Sequence, residues 1–168
     1  MGYPVVLKSA APDVVHKSDA GCVRTDITDL AALRIAYSQI VANARSAGSA
    51  APALVLVERM TKGAAEIAVG LKRSPTFGPT VLVGMGGIWV ELMQDFALRI
   101  SPVDAAEARA MIMELRGYPL LAGFRGRKSC DVDALAQVVA AVSRLGVERD
   151  DVAELDLNPV MVMENGRG

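Results

Sequence analysis

Asp156-Leu157-Asn158-Pro159 sets a carboxylate and an amide carbonyl two residues apart in an extended segment, so both project from one face. Two hard oxygens on one side suit a Mg²⁺ ion that is shared with nucleotide phosphates and keeps several waters. An Asp-x-Asn pair equally serves as strand-end hydrogen bonding, and that plainer reading stays open at this point. Lys8 closes an apolar run, where a lysine either presents a fixed positive charge to phosphate oxygens or simply lies in solvent. The stretch Pro12-Asp13-Val14-Val15-His16-Lys17-Ser18-Asp19-Ala20-Gly21 gathers the one histidine with a cation, a hydroxyl and carboxylates. An imidazole nitrogen there can accept a phosphoryl group and pass it on; a surface or capping histidine is the alternative.

Glu58, Glu66 and Glu91 each sit at or within an apolar run, where an unpaired carboxylate costs several kcal/mol on burial, so each needs a partner or an exposed face. Arg99 lies eight residues after Glu91, an even offset that keeps both on one face of an unbroken strand, as a salt bridge or as part of a nucleotide-phosphate site. Gly84-Met85-Gly86-Gly87 has the glycines for close backbone approach but matches neither the P-loop nor the dinucleotide fingerprint. No GxSxG, HExxH or Cys-His pairing is present, which removes the hydrolase readings.

Positioning these residues requires the following elements. Residues 4–8 and 22–27 read as strands joined by the polar histidine segment. From Asp29 the apolar positions Leu30, Leu33, Tyr37, Ile40, Val41 and Ala44 recur at helical spacing, with Thr28 expected as N-cap and Gly48 beyond the end. Three β-rich runs, 53–58, 65–71 and 79–84, are separated by turn residues, and an antiparallel meander is the simplest arrangement. Residues 88–100 form a further strand or a bent pair. Two helices follow, from Val103 or Asp104 to Leu115 and from Asp131 to Leu145, with a Gly-rich loop between them. Short strands over 153–157 and 160–163, broken at Pro159, close the chain. That order is α+β, without the regular alternation of βαβ units.

At 168 residues the chain suits one compact domain, with room for two lobes. The hydrophobic fraction is 52% but aromatics only 4%, so small aliphatic side chains must fill the core. The 18 basic and 19 acidic residues are scattered, which leaves no footprint for nucleic acid. Cys22 and Cys130 stand alone, arguing against a zinc site or a disulfide framework and for a reducing cytoplasm. No apolar run reaches the roughly 18 residues of a membrane helix, so no membrane association is expected.

Taken in order, Tyr3-Pro4-Val5-Val6-Leu7-Lys8, His16-Lys17-Ser18-Asp19-x-Gly21, Phe77-Gly78-Pro79, Gly84-x-Gly86-Gly87-Ile88-x-Val90-Glu91, Arg99-Ile100-Ser101-Pro102, Tyr118-Pro119-Leu120-Leu121-x-Gly123-Phe124-Arg125-Gly126 and Glu154-Leu155-Asp156-Leu157-Asn158-Pro159 resemble the ATP-grasp domain of ADP-forming acyl-CoA synthetases. The resemblance runs nearly end to end, and its specificity lies in the collinearity of motifs that are weak singly. It implies an α+β ATP-grasp fold of two lobes, residues 1–57 and 58–168, truncated at both ends relative to the family. The superfamily is that of succinyl-CoA synthetase.

The resemblance also implies roles. Lys8 would contact ATP phosphates, Glu58 would lie in the hinge strand near adenine and ribose, Asp156 and Asn158 would hold Mg²⁺, and Glu66, Glu91 and Arg99 would complete the nucleotide pocket. His16 matches the histidine that receives phosphate, relayed from a CoA-binding part, before ADP does. CoA itself would bind a partner domain, and the CoA-binding and ligase domains or subunit are the expected partners, with self-association through unpaired edges also expected. One departure is Cys22, where the family pattern has a second glycine. The competing expectation is a non-catalytic nucleotide-binding module, such as the synthetase-like region of a larger protein acetyltransferase.

Overall fold

The computed structural model describes residues 1–14, 17–50, 54–86 and 94–168. They form two compact units, Met1–Thr61 and Lys62–Gly168.

In the first unit, strands β1 (Val5–Ser9), β2 (Val23–Ile27) and β3 (Val55–Arg59) make an antiparallel sheet in the order β2-β1-β3. Helix α1 (Leu30–Ser46) covers one face, closing a core of Val5, Leu7, Ile27, Ala36 and Ile40. The N-cap is Asp29 rather than Thr28: its Oδ1 accepts the Ala32 N–H at 2.8 Å, satisfying a donor that the first turn cannot. The buried stripe of α1 also differs from the expected one. Leu30 and Tyr37 are exposed, whereas Ala36 and Ile40 pack on the sheet and Ala44 packs with Ala11, Val14 and Cys22.

The second unit is a four-stranded antiparallel sheet in the order β6-β5-β4-β7, built from β4 (Ala65–Ser74), β5 (Gly78–Met85), β6 (Phe96–Ile100) and β7 (Glu154–Val162). Helices α2 (Ala105–Glu114) and α4 (Val132–Glu148) lie on one face, with the short helix α3 (Tyr118–Ala122) between them in sequence. Strict alternation in β4 sends Ile67, Val69 and Leu71 inward to meet Val81, Val83, Met111, Ile112, Leu135 and Val139. Each such side chain contributes about 1.5–3 kcal/mol on full burial. Arg73 ties the end of α4 to the sheet, its Nη2 donating to the carbonyls of Gly146 at 2.6 Å and Arg149 at 3.0 Å. A cation there also answers the negative end of the helix dipole.

Two expectations about the strands are corrected. The run containing Glu58 does not join a meander with β4 and β5; it pairs with β1 in the first unit, and the meander consists of β4, β5 and β6. The closing segment is a single strand, not two, and Pro159 sits within it. A proline is tolerated there because β7 is an edge strand, and a register shift opposite Ala68 places Asn158 and Pro159 where one residue would normally stand.

Candidate functional site

Among the described residues, helices cover one face of each sheet, and most of the residues singled out by their chemistry lie on the opposite, open face. In the first unit Val6 pairs with Glu58 and Lys8 with Leu56, which puts Lys8 and Glu58 on the side away from α1. Lys8 Nζ and Glu58 Oε2 are 2.6 Å apart, with side chains 43% and 41% exposed. So exposed a pair adds little to stability, at most about 1 kcal/mol. Its consequence is orientation: the carboxylate holds the ammonium at a defined point over the sheet.

His16 lies outside the described residues, but both flanks of its segment are anchored. Upstream, the Asp13 carboxylate accepts the Ser49 hydroxyl at 2.7 Å and the Ala50 N–H at 3.2 Å. Downstream, the Cys22 N–H donates to the Lys17 carbonyl at 2.7 Å, and Asn43 Nδ2 of α1 donates to the Gly21 carbonyl at 2.8 Å. Gly21 has φ +64°, a left-handed conformation that favours glycine, and a Cβ there would meet Asn43 Nδ2 at 2.8 Å and displace its side chain. Cys22, where the family pattern has glycine, is fully buried against Ala11, Val14 and Ala44 and so serves as a packing residue at the root of the segment.

In the second unit the register assigns the open face. Gly70 stands opposite both Leu82 and Asp156; Ala68 stands opposite Gly84 and, through the register shift, Asn158 and Pro159; Glu66 stands opposite Met161. Asp156 and Asn158 therefore share the face opposite the described helices, and both are exposed. Lys72, opposite Glu154 and Thr80, brings a cation to the same face. The far edge is apolar: Phe96, Leu98 and Ile100 of β6 are 51%, 48% and 55% exposed. Gly70 and Lys72 escaped the reading of the sequence, although their even spacing from Glu66 along β4 was the available signal.

Glu66 is held by its backbone. Its carbonyl accepts the Gly86 N–H at 2.8 Å, and a Cβ on Gly86 would come within 2.7 Å of the Glu66 carbonyl carbon. The close approach that Gly86 permits is thus to strand β4. Glu91 lies outside the described residues.

Arg99 stands apart from this group. It pairs with Val81, hence with the inward-facing set, and its guanidinium reaches the helical layer, where Nε meets Glu107 at 3.2 Å and Nη2 bonds Glu114. The hydrogen bond to Glu114, aided by Glu107, raises its pKa above the ordinary arginine value. Arg99 and Asp156 are on opposite faces of one sheet, so the expectation that Arg99 joins the phosphate ligands runs against its placement, and its visible work is to clamp α2 to β6.

Among the described residues no group of three or more His, Cys, Asp or Glu side chains comes together as a metal cage. The Asp156 and Asn158 pair instead fits a hard cation bound through one or two protein oxygens and completed by phosphates and water, which is how Mg²⁺ is usually held. No described helix is long and apolar enough to cross a membrane.

Residues 1–167 match the ATP-grasp domain family. The chain is 44% identical over 99% of its length to acetate–CoA ligase [ADP-forming] I of Archaeoglobus fulgidus, spanning 24% of that protein. It is 40% identical over 98% of its length to the beta subunit of acetate–CoA ligase [ADP-forming] I of Pyrococcus furiosus, spanning 72% of that subunit. Among solved structures, a chain of the dinucleotide-forming acetyl-coenzyme A synthetase 1 of Ca. Korarchaeum cryptofilum, in complex with coenzyme A and Ca-AMPCP, superimposes with a TM-score of 0.90 at 41% identity, covering 98% of this chain and 72% of that one. The same enzyme solved with coenzyme A and Mg-AMPPCP, its phosphohistidine segment pointing towards the nucleotide binding site, gives a TM-score of 0.83 at 39% identity, with the same coverage of both chains. The chain thus spans about a quarter of the single-chain ligase and nearly three quarters of the beta subunit. With its α+β architecture, its motifs in order and these matches along almost its whole length, the chain belongs to the ATP-grasp family, in the group formed by the beta subunits and equivalent regions of ADP-forming acetate–CoA ligases.

Proposed function

We propose that this chain is the nucleotide-binding, phosphoryl-transferring part of a cytoplasmic ADP-forming acyl-CoA synthetase, working with CoA-binding and ligase domains or a partner subunit that carries them. The reaction is acyl-CoA, ADP and phosphate going reversibly to acid, ATP and CoA. The observation that carries this reading is the pairing of Asp156 with Asn158 on the face of the second sheet opposite its described helices, in a fold whose solved relative was captured with Mg-AMPPCP.

In this reading the open faces of the two units, Met1–Thr61 and Lys62–Gly168, carry the nucleotide-binding residues. Lys8, steered by Glu58, neutralises phosphate oxygens, and Glu58 also lies close to the adenine and ribose. Glu66 and Glu91 are assigned to binding the nucleotide. Asp156 and Asn158 hold Mg²⁺, which when bound offsets charge on the phosphates and fixes their geometry. An imidazole nitrogen of His16 carries the phosphoryl group. Towards ATP, a β-phosphate oxygen of ADP attacks the phosphorus and the P–N bond breaks, leaving neutral imidazole; the reverse step forms the P–N bond and releases ADP. Arg99, already engaged by Glu107 and Glu114, is assigned to holding α2 and not to the phosphates.

The test is transfer of label from γ-labelled ATP to His16 in the presence of the CoA-binding partner. Acid-labile label that His16→Ala abolishes is the expected result. Nucleotide binding with no label on His16 would instead mark a regulatory synthetase-like module.

A further inference from the structure

Glycine in the middle of a strand destabilises it by roughly 0.5–1 kcal/mol relative to alanine, so a strand glycine normally has a reason in the fold. Nearly all the glycines of the second unit whose surroundings are described have one. Gly78, Gly123, Gly126, Gly166 and Gly168 have positive φ, and a Cβ on Gly63, Gly86, Gly117 or Gly146 would meet neighbours at 3.0 Å or less. Gly70 is the exception. Its φ is ordinary, and a Cβ would find its nearest atoms, the Leu155 carbonyl oxygen and Leu82 Cβ, at 3.7 and 3.9 Å, which is normal van der Waals contact. The chain itself would accept a side chain there.

Gly70 also occupies a telling position. It stands on the open face, opposite Asp156 on one side and Leu82 on the other. Cross-strand neighbours of this kind have side chains about 4.5–5.5 Å apart. A ligand held by Asp156 and Asn158 thus has Gly70 as the adjoining floor.

We propose that the polyphosphate of the bound nucleotide passes over Gly70 in van der Waals contact, and that the missing side chain sets the clearance between sheet and ligand. The inference rests on the nucleotide site proposed above. It makes Gly70 a positioning residue, with its effect on affinity and not on folding.

Isothermal titration of Mg-AMPPCP into the intact protein tests it, alongside thermal unfolding without nucleotide. Gly70→Ala should unfold at the same temperature as the parent or up to roughly 4 °C higher, since it removes backbone freedom from the unfolded chain without a clash. Its affinity should fall about threefold, and that of Gly70→Val, which adds two further carbons above the sheet, at least about tenfold. Variants that fold normally and bind as the parent does would overturn the inference while leaving the nucleotide site intact. So would a marked loss of thermal stability in Gly70→Ala with affinity unchanged, because a protein segment and not the ligand would then cover the glycine. A parent that binds no Mg-AMPPCP at all would refute the site itself.

Discussion

Replacing Gly86 by alanine should destabilise the second unit sharply. The Cβ would lie 2.7 Å from the Glu66 carbonyl carbon, 2.8 Å from its oxygen and 2.9 Å from the Ile67 nitrogen. All three are backbone atoms, so no change of side-chain torsion relieves the overlap. Restoring an acceptable separation means moving the end of β5 away from β4 by about 0.7 Å, in an interior packed too densely to absorb it. That displacement stretches the 2.8 Å bond from the Gly86 N–H to the Glu66 carbonyl beyond useful length. Overpacking costs about 1–3 kcal/mol and the lost hydrogen bond about 0.5–1.5, giving about 1.5–4.5 kcal/mol together. For a chain of this length that is a fall in Tm of roughly 3–18 °C.

Thermal unfolding followed by far-ultraviolet circular dichroism, without nucleotide, measures it directly. Gly70→Ala is the internal control, being the same substitution in the same sheet with its nearest atoms at 3.7 Å and an expected change of the opposite sign or none. A Gly86→Ala protein unfolding within about 2 °C of the parent would refute the claim that the approach of β5 to β4 requires glycine.

Asp156→Asn should leave Tm unchanged, since the carboxylate is exposed, and weaken nucleotide binding at least about tenfold in the presence of Mg²⁺ but little in its absence; titrations with and without the ion compare the two. Arg99→Leu, which removes two partly exposed ion pairs between β6 and α2, should lower Tm by only a few degrees, about 2–4 °C, while nucleotide affinity stays within about twofold, and an unchanged Tm with a large loss of affinity would return Arg99 to the phosphate site. Acid stability provides a further test. The backbone N–H groups of Gly168 and Ala134 hold the Asp131 carboxyl below its usual range. A depressed folded-state pKa stabilises above the ordinary carboxylate value of about 3.9 and loses that contribution as pH falls through the lowered one. Tm measured from pH 6 downwards should therefore fall less steeply in Asp131→Asn than in the parent.

Local chemistry explains what could be read early. Helix α4 was legible because its apolar residues recur at three and four behind an aspartate that caps it, and the observed N-cap is that residue, Asp131, whose side chain accepts from Ala134. The strands were legible from alternation, and the Asp-x-Asn spacing gave a shared face that the register shift in β7 preserves. Strand partnership was not. Nothing in the segment around Glu58 distinguishes pairing with β1, nearly fifty residues earlier, from pairing with the following run, because either hairpin buries the same alternating side chains.

Arg99 makes the same distinction at a single residue. Its even spacing from Glu91 was a fact of the sequence, but the carboxylates that engage it come from α2, which follows in the chain and packs back over the sheet. Gly70 is the opposite case, a glycine whose identity the sequence displays but whose lack of any local reason emerges only when its neighbours are measured. The sequence by itself determined the α+β class, the residue types suited to phosphate and Mg²⁺, and the family. Tertiary structure alone decided which strands share a sheet, which face of each sheet the described helices cover and which charged groups are already taken. Spacing along a chain sets only the direction of a side chain relative to its own element, whereas its neighbours depend on contacts between elements distant in sequence.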